Sequence, residues 1–288
     1  MITSTAQTER VACPFCGSTI ANPVRQSADI VECLECGTVY LRTRLRDEVL
    51  YALYQNYAHE GSHMRLPTTR QEIEQSGLRR REFVRMVLEY IEPGGNWLDI
   101  GCGWGAMLDH VRTLGFNPRG IELTRPCVDF ATKVLGIPVS NTDFVYSRVE
   151  PSSCSVISMV HTLEHLTNPR EALRKVHDTL VHDGIFCGIV PNFNSLCSEL
   201  LVDGWAWLDP HHHYVHYTPH TLSQHLRNAG FEIKHLTTAT GDYGEETVLS
   251  YLRSVMLTLP GKLSYRDVLR AVEEDGRGEE IRFIAAKV

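Results

Sequence analysis

The chain has 288 residues, of which 43% are hydrophobic and 22% are charged, and its formal net charge is −7 at pH 7. These values are typical of a globular protein that holds one large domain and a small one. The acidic balance disfavours broad binding to a nucleic-acid backbone, so nucleic acid is not an expected partner. No apolar run has the length of a membrane span.

The first ten residues are polar and lack the apolar region of a signal peptide. Residues 1–10 are therefore predicted to be a flexible N-terminus, and the protein is expected in the cytoplasm. The nine cysteines agree with that location, because their spacing indicates a metal site rather than a disulfide framework.

Four cysteines near the N-terminus have the spacing of metal ligands. Cys13 and Cys16 form one C-x-x-C-G pair, and Cys33 and Cys36 form a second. Four sulfurs in two such pairs suit a closed tetrahedral zinc site. Residues 11–42 are predicted to be a structural zinc ribbon, which could also present a surface to a protein partner. The remaining cysteines are expected to be small buried residues: Cys102, Cys127, Cys154, Cys187 and Cys197.

Residues 43–92 are predicted to be a mostly helical linker. Apolar residues recur there at helical spacing, and Pro93-Gly94-Gly95 ends the segment with a turn. With Tyr54, Tyr57 and His59, the linker could form a lid over a substrate, or it could be packing between the ribbon and the core.

Residues 96–106 read NWLDIGCGWGA, which predicts a strand, a glycine loop and the start of a helix. Gly101, Gly103 and Gly105 permit a sharp turn and a close approach of the backbone to a ligand. The helix directs its positive end at that ligand. Glu122 ends the next apolar segment, where a carboxylate can accept hydrogen bonds from both ribose hydroxyls. Together these features predict a nucleoside-binding unit.

Asp99 distinguishes between two nucleosides. Gly101, Gly103 and Ala106 also satisfy the dinucleotide fingerprint of NAD-dependent oxidoreductases. A carboxylate two residues before the first glycine would repel a pyrophosphate, but it suits an amino-acid ammonium group. The string LDIGCGWG resembles motif I of the class I S-adenosylmethionine (SAM) methyltransferases, and Glu122 matches the acidic ribose-binding position of that family.

The resemblance implies a set of SAM-binding residues. Asp143 resembles the position that contacts the adenine amine, with helix capping as the alternative. His161 is expected beside the methyl donor. The complete predicted set is Asp99, Gly101, Cys102, Gly103, Gly105, Glu122, Leu123, Asp143 and His161.

The rest of the chain alternates apolar and helical segments. This alternation predicts an α/β fold with a doubly wound, mostly parallel sheet. The resemblance implies a Rossmann-like, seven-stranded methyltransferase domain over residues 93–288, whose last two strands form a hairpin with the final strand antiparallel. The predicted strands are 97–100, 118–123, 138–139, 156–160, 184–190, 231–238 and 281–288. The predicted helices include 104–115, 125–135, 169–181 and 218–229.

Side chains suited to proton transfer follow the fourth strand of this domain. His161, Glu164 and His165 fall where a central strand opens into the ligand crevice. The segment resembles that of the UbiG-like branch of the family, whose quinone-biosynthesis O-methyltransferases bind magnesium through an acid, a glutamate and a histidine. Here His161 replaces the first acid, and imidazole is a poorer ligand for a hard cation. Two interpretations stay open for His165: a general base, or a group that holds the loop together with Glu164.

A segment rich in Trp, His and Tyr follows the fifth strand. It reads GWAWLDPHHHYVHYTP over residues 204–219 and resembles the H-(L/Y)-x-x-(F/Y)-T/S-P segment of the same branch. Its rings suit a wall for an aromatic or sugar substrate. His213 is the first choice for substrate contact, so the three catalytic candidates are His161, His165 and His213. Thr218 is predicted to cap the next helix, with Pro219 in its first turn.

The sequence therefore predicts a SAM-dependent methyltransferase with SAM as cofactor, a structural zinc ion and a small-molecule methyl acceptor. The acceptor would be a glycan, a quinone-like compound or a secondary metabolite, methylated on oxygen or nitrogen. One alternative is an rRNA or tRNA methyltransferase that recognises RNA through its ribbon. A second is a non-catalytic SAM-binding scaffold.

Overall fold

The computed structural model describes residues 7–25, 29–55, 66–240 and 265–288. Tyr57 and His59, which are expected to contribute either to a lid or to packing between the ribbon and the core, lie outside the described residues. No helix in the described ranges is long and apolar enough to cross a membrane.

The N-terminal part is built from short antiparallel strands. Its five strands are β1 (Thr8–Arg10), β2 (Ala21–Arg25), β3 (Ile30–Cys33), β4 (Val39–Leu41) and β5 (Thr43–Leu45). Strand β1 pairs with β5 in a separate two-stranded sheet. Residues 8–10 thus differ from the predicted flexible N-terminus, because their backbone groups are bonded to the start of the 43–92 segment. The division of the chain into domains stays a prediction.

The segment after β5 is mostly helical, as its spacing predicts. It contains α1 (Asp47–Gln55), α2 (Arg70–Arg79) and α3 (Arg81–Val87). Helix α3 buries Phe83, Val84 and Val87 in the same apolar cluster as Trp97 of the central sheet. This burial fixes the end of the segment to the main domain.

The main domain is a seven-stranded sheet in the order β12-β13-β10-β9-β6-β7-β8. Its strands are β6 (Asn96–Ile100), β7 (Asn117–Ile121), β8 (Val139–Ser140), β9 (Cys154–Val160), β10 (Leu180–Pro191), β12 (Phe231–Ala239) and β13 (Glu280–Lys287). The pairs among β6 to β10 are parallel, whereas β13 is antiparallel to both β10 and β12. The structure confirms the predicted doubly wound sheet and its antiparallel final strand.

Helices cover the sheet and bury its central strands. They are α4 (Ala106–Thr113), α5 (Arg125–Lys133), α6 (Pro169–Thr179), α7 (Leu196–Leu201), α8 (Pro219–Asn228) and α9 (Tyr265–Glu274). Strands β6, β9 and β10 are buried on both faces, as parallel strands between helices are expected to be. Thr218 caps α8 through a capping box, which confirms that prediction.

The ribbon and the main domain share a sheet. Strand β11 (Val215–His216) comes from the segment rich in Trp, His and Tyr, and it pairs with β4 of the ribbon. The resulting four-stranded sheet has the order β11-β4-β3-β2. The ribbon is therefore hydrogen-bonded to the chain that surrounds the candidate site.

Candidate active site

A cavity of about 720 Å³ opens where the parallel strands β6, β7 and β9 end. The glycine loop and Glu122 form one end of it, and histidines form the other. Glu280 also lines it, because antiparallel β13 begins at the edge where the parallel strands end. Ligands bind at this edge in open α/β sheets.

The glycine loop is held close to the strand-four segment. Gly101 has φ of +71°, and a Cβ added to it would clash with the Thr162 hydroxyl oxygen. Gly105 has φ of +90° and caps α4, where an added Cβ would lie 3.4 Å from Ala131. Gly101 and Gly103 line the cavity, but Gly105 is not among the described residues that do so. The need for glycine at 105 thus comes from the turn into α4.

Glu122 is buried directly after β7, and its carboxylate is hydrogen-bonded to the glycine loop. One carboxylate oxygen accepts the Gly103 N–H at 2.9 Å, and the other accepts the Thr124 N–H at 2.7 Å. Each oxygen has a second lone pair, so the carboxylate can also accept hydrogen bonds from a ligand in the cavity.

Asp99 lies buried beside the loop and belongs to a chain of hydrogen bonds. The Trp97 indole donates to the Ser158 hydroxyl at 2.8 Å, and Ser158 donates to Asp99 at 2.7 Å. Burial raises the pKa of Asp99 to about 7, and the Glu122 carboxylate acts in the same direction, while the Ser158 hydrogen bond opposes them. A cationic ligand group here would favour the ionised form.

Asp143 lines the cavity near α1, and both of its oxygens have partners. The Tyr51 hydroxyl donates to one at 2.6 Å, and the Val145 N–H donates to the other at 2.6 Å. The second bond closes a turn over residues 144–146, where no helix begins, so it is not the predicted helix cap. Leu123 also lines the cavity, as does Cys102, whose buried side chain packs in the apolar core.

His161 is held between two carboxylates and an indole. Its Nε2 lies 3.3 Å from Glu280, and its Nδ1 lies 3.6 Å from Glu164. Its ring stacks on Trp207, with centroids 4.9 Å apart. Burial lowers the pKa of His161, but the two carboxylates outweigh it and raise the pKa to about 8. His161 is therefore mostly protonated at neutral pH.

His165 and His213 meet on the same side of the cavity, with ring centroids 4.7 Å apart. We call His161, His165 and His213 the histidine wall. Burial lowers the pKa of His165 to about 4, and the neighbouring His213 adds to this effect. A neutral imidazole offers one nitrogen as donor and one as acceptor.

Glu164 lies behind the histidine wall and is 1% exposed. Burial acts to raise its pKa, but the contacts with His161, His165 and His213 lower it overall. The magnesium set of the UbiG-like branch needs an acid at position 161. Here an imidazole stands there, engaged by Glu280 and Trp207, so these residues do not fit a magnesium ion.

The four ribbon cysteines converge on one point, with all four sulfur atoms within 4.8 Å of one another. The Cys13 and Cys36 sulfurs are 3.5 Å apart, as are those of Cys16 and Cys33. A tetrahedral zinc ion with Zn–S bonds of about 2.3 Å requires sulfur separations of roughly 3.8 Å. The donor set and its spacing fit zinc. The other cysteines are buried, as predicted: Cys102, Cys127, Cys154, Cys187 and Cys197.

Several cavity residues were not found from the sequence. Tyr51 lies in the predicted helical linker, where no motif marks it, and Trp207 belongs to the segment that was predicted only in general terms to line an aromatic or sugar substrate. Glu280 and Arg282 reach the cavity from the last strand. The alternation of Glu280 and Arg282 with the apolar residues Ile281 and Phe283 is the sequence signal that could have indicated a lined edge.

The fold and the cavity define a class I SAM-dependent methyltransferase. A family model described as "Methyltransferase domain" matches residues 70–236, which is more than half of the chain. The chain belongs to this methyltransferase family.

Curated relatives and solved structures agree with this assignment. The ubiquinone biosynthesis O-methyltransferase of Cupriavidus pinatubonensis is 27% identical over 154 residues, which are 49% of this chain and 61% of that protein. The protein of the same name from Xanthomonas euvesicatoria is 26% identical over 170 residues, 54% of this chain and 69% of the relative. This chain thus spans less than two thirds of the first relative's length.

Two crystal structures show the same fold. A SAM-dependent methyltransferase from Archaeoglobus fulgidus has a TM-score of 0.53 at 21% identity and covers 75% of this chain and 94% of its own. An S-adenosylmethionine-dependent methyltransferase from Mesorhizobium loti has a TM-score of 0.52 at 17% identity, with coverage of 72% and 96%.

Proposed function

We propose that this protein transfers the methyl group of SAM to a hydroxyl group of a small molecule. The observation that carries the proposal is one continuous cavity. Asp99, Gly101 and Glu122 form the end suited to a nucleoside with an ammonium group, and the histidine wall forms the other. The names of the curated relatives support a hydroxyl acceptor.

In this proposal SAM lies along the glycine loop. Glu122 accepts hydrogen bonds from the ribose hydroxyls, and Asp99 pairs with the ammonium of the methionine part. Asp143 and Tyr51 lie beside the adenine, and the backbone of Cys102 and the side chain of Leu123 contact the nucleoside. The sulfonium methyl then points toward the histidine wall.

The reaction is an in-line displacement at the methyl carbon. An acceptor oxygen forms the new C–O bond as the C–S bond breaks, which leaves S-adenosylhomocysteine, and the acceptor proton passes to His165 and from there to solvent. Alignment of the two reactants supplies much of the acceleration. His165 and His213 are placed to receive the hydroxyl hydrogen bond, while protonated His161 is a donor.

We also propose that Cys13, Cys16, Cys33 and Cys36 hold a structural zinc ion. The ion would join the turn before β2 to the turn between β3 and β4, and so stabilise β4, on which β11 and the neighbouring His213 depend. The ribbon also packs on α8, where Phe15 stacks on His225 and Thr38 lies 2.8 Å from the same ring. These contacts favour a role within this chain over recruitment of RNA.

Calorimetry separates the competing functions. We expect purified protein to bind SAM and S-adenosylhomocysteine with one site per chain, and not to bind NAD. Isotope-labelled SAM should then give labelled product with members of a panel of phenols, catechols and sugars. Binding of NAD without SAM would refute the proposal, and SAM binding with no product from crude metabolite extracts would favour a scaffold.

A further inference from the structure

A chain of hydrogen bonds leads from the ribbon cysteines into the main domain. The Cys36 sulfur lies 3.1 Å from the Thr38 hydroxyl oxygen, and this oxygen lies 2.8 Å from Nε2 of His225. Cys36 is one of the proposed zinc ligands, whereas His225 belongs to α8 and follows Thr38 by 187 positions along the chain. The fold therefore brings an imidazole of the methyltransferase domain close to the ribbon zinc site through a single hydroxyl group.

Thr38 and His225 are both buried and held in place where they meet. Thr38 is 1% exposed and His225 is 4% exposed, so water does not compete for the hydrogen bond between them. The Cys33 N–H donates to the Thr38 carbonyl oxygen at 2.9 Å, which fixes Thr38 to the turn that carries Cys36. The Phe15 ring stacks on His225 with centroids 3.4 Å apart and planes 3° apart. Because Phe15 lies in the first C-x-x-C pair, both halves of the zinc site contact α8.

A bound zinc ion would set the direction of these hydrogen bonds. A cysteine that binds zinc is a thiolate without a proton, so Cys36 can only accept from the Thr38 hydroxyl. That hydroxyl has one proton, so once it donates to Cys36 its oxygen can only accept from His225. His225 must then carry a proton on Nε2. A hydrogen bond donated to a thiolate stabilises its negative charge.

We propose that His225 is a positioning residue for the ribbon zinc, because its Nε2–H donates to Thr38 and so directs the Thr38 hydroxyl proton to the Cys36 thiolate. This role rests on the structural zinc ion proposed above. It adds that the methyltransferase domain sets the affinity of the ribbon for zinc, which the four cysteines alone do not determine. Removal of a group that orients a metal ligand typically weakens metal binding roughly 10- to 100-fold.

The zinc affinity of the full-length protein tests the role of the hydroxyl. Thr38→Val keeps the shape of the side chain but has no hydroxyl. Its dissociation constant for zinc, measured by competition with a chromogenic chelator, should rise roughly 10- to 100-fold. Thr38→Ser keeps the hydroxyl, so its constant should stay within about threefold of wild type.

The role of the imidazole is tested by two matched replacements. His225→Phe keeps a ring against Phe15 but has no donor, and it should raise the zinc dissociation constant roughly 3- to 10-fold, as expected for the loss of one neutral hydrogen bond. His225→Gln places an amide N–H near the position of Nε2 and should stay within about threefold of wild type. His220→Ala, exposed on the same helix, is the control and should leave the constant unchanged.

A double variant shows whether the two residues act together. Thr38→Val combined with His225→Phe should bind zinc no more weakly than Thr38→Val alone, because both changes act through the same hydroxyl. Additive losses would mean that His225 acts only by packing on the ribbon. Nitrogen-15 NMR of histidine-labelled wild-type protein gives a second readout that needs no folded variant: zinc-loaded protein should carry the His225 proton on Nε2.

Two results would overturn the role of His225: an Nε2 without a proton in the zinc-loaded protein, or equal zinc affinity in wild type, Thr38→Val and His225→Phe. SAM affinity within about twofold of wild type would show that each variant is folded. A wild-type protein that binds no zinc, or a Cys33→Ser variant that keeps it, would instead refute the ribbon zinc itself. Zinc content and zinc affinity are measured separately, so the two failures are distinguishable.

Discussion

Replacing Glu122 with glutamine tests the nucleoside end of the cavity. The carboxylate accepts two backbone N–H groups, from Gly103 at 2.9 Å and from Thr124 at 2.7 Å. Glutamine has almost the same shape, but one end of its amide is a donor. That end must face one of the two N–H groups, so one hydrogen bond is lost, and the ribose loses a charged acceptor.

Hydrogen bonds to charged groups contribute about 1.5–3 kcal/mol each. Since about 1.4 kcal/mol corresponds to a factor of ten, the loss of one such bond to SAM predicts an affinity reduced roughly 10- to 100-fold. Glu122→Gln should therefore bind SAM with a Kd higher by that factor in calorimetry at 25 °C.

Glu150→Gln is the matched control. Glu150 is exposed, so its replacement should leave the Kd within about twofold of wild type. A thermal melt of each variant separates a loss of folding from a loss of binding. If folded Glu122→Gln binds SAM within about threefold of wild type, the assignment of Glu122 to the ribose is wrong.

Three further outcomes follow from the geometry. Gly101→Ala should lower Tm by roughly 3–8 °C. Gly136→Ala is the control and should lower Tm by less. Both glycines have positive φ, but an added Cβ would meet Thr162 at Gly101 and no described atom within 4 Å at Gly136. The pKa of Asp99 is raised to about 7, so the carboxylate that pairs with the SAM ammonium group ionises as pH rises from about 6 to about 7.5, and SAM should bind more tightly over that range. Asp99→Asn should remove the dependence of SAM affinity on pH. If Asp99→Asn keeps the same pH profile as wild type, the assignment of Asp99 to the ammonium group is wrong. Cys33→Ser should lose the ribbon zinc and so destabilise β4. Because β4 pairs with β11, the backbone amides of β11 should then exchange hydrogen faster. Cys154→Ser should change neither the zinc content nor the exchange of β11.

The local nucleoside unit could be predicted because its signals are short-range. Strand β6, the glycine loop and Glu122 fall within one strand–loop–helix–strand unit, where glycine and charge have direct physical meanings. Gly105 illustrates the limit of this reasoning. Its glycine is required by the turn into α4, and spacing alone does not distinguish a turn glycine from one that contacts a ligand.

The acceptor end could not be predicted to the same depth, because it is assembled from distant segments. Glu280 reaches His161 only after β13 has taken its place in the sheet. Strand β11 has two residues, too few for any periodic pattern, yet it joins the ribbon to the histidine wall. The roles of Tyr51 and Glu280 depend on this packing and not on local propensity.

The position of β13 also constrains the order of assembly. This strand lies between β10 and β12, although it follows both along the chain. A nascent chain synthesised through residue 240 therefore contains β10 and β12 but lacks the strand that lies between them in the native sheet. Their backbone groups stay exposed until Glu280–Lys287 arrives. The same late strand carries Glu280, so the sheet closes and the acceptor site gains its last carboxylate in one folding event.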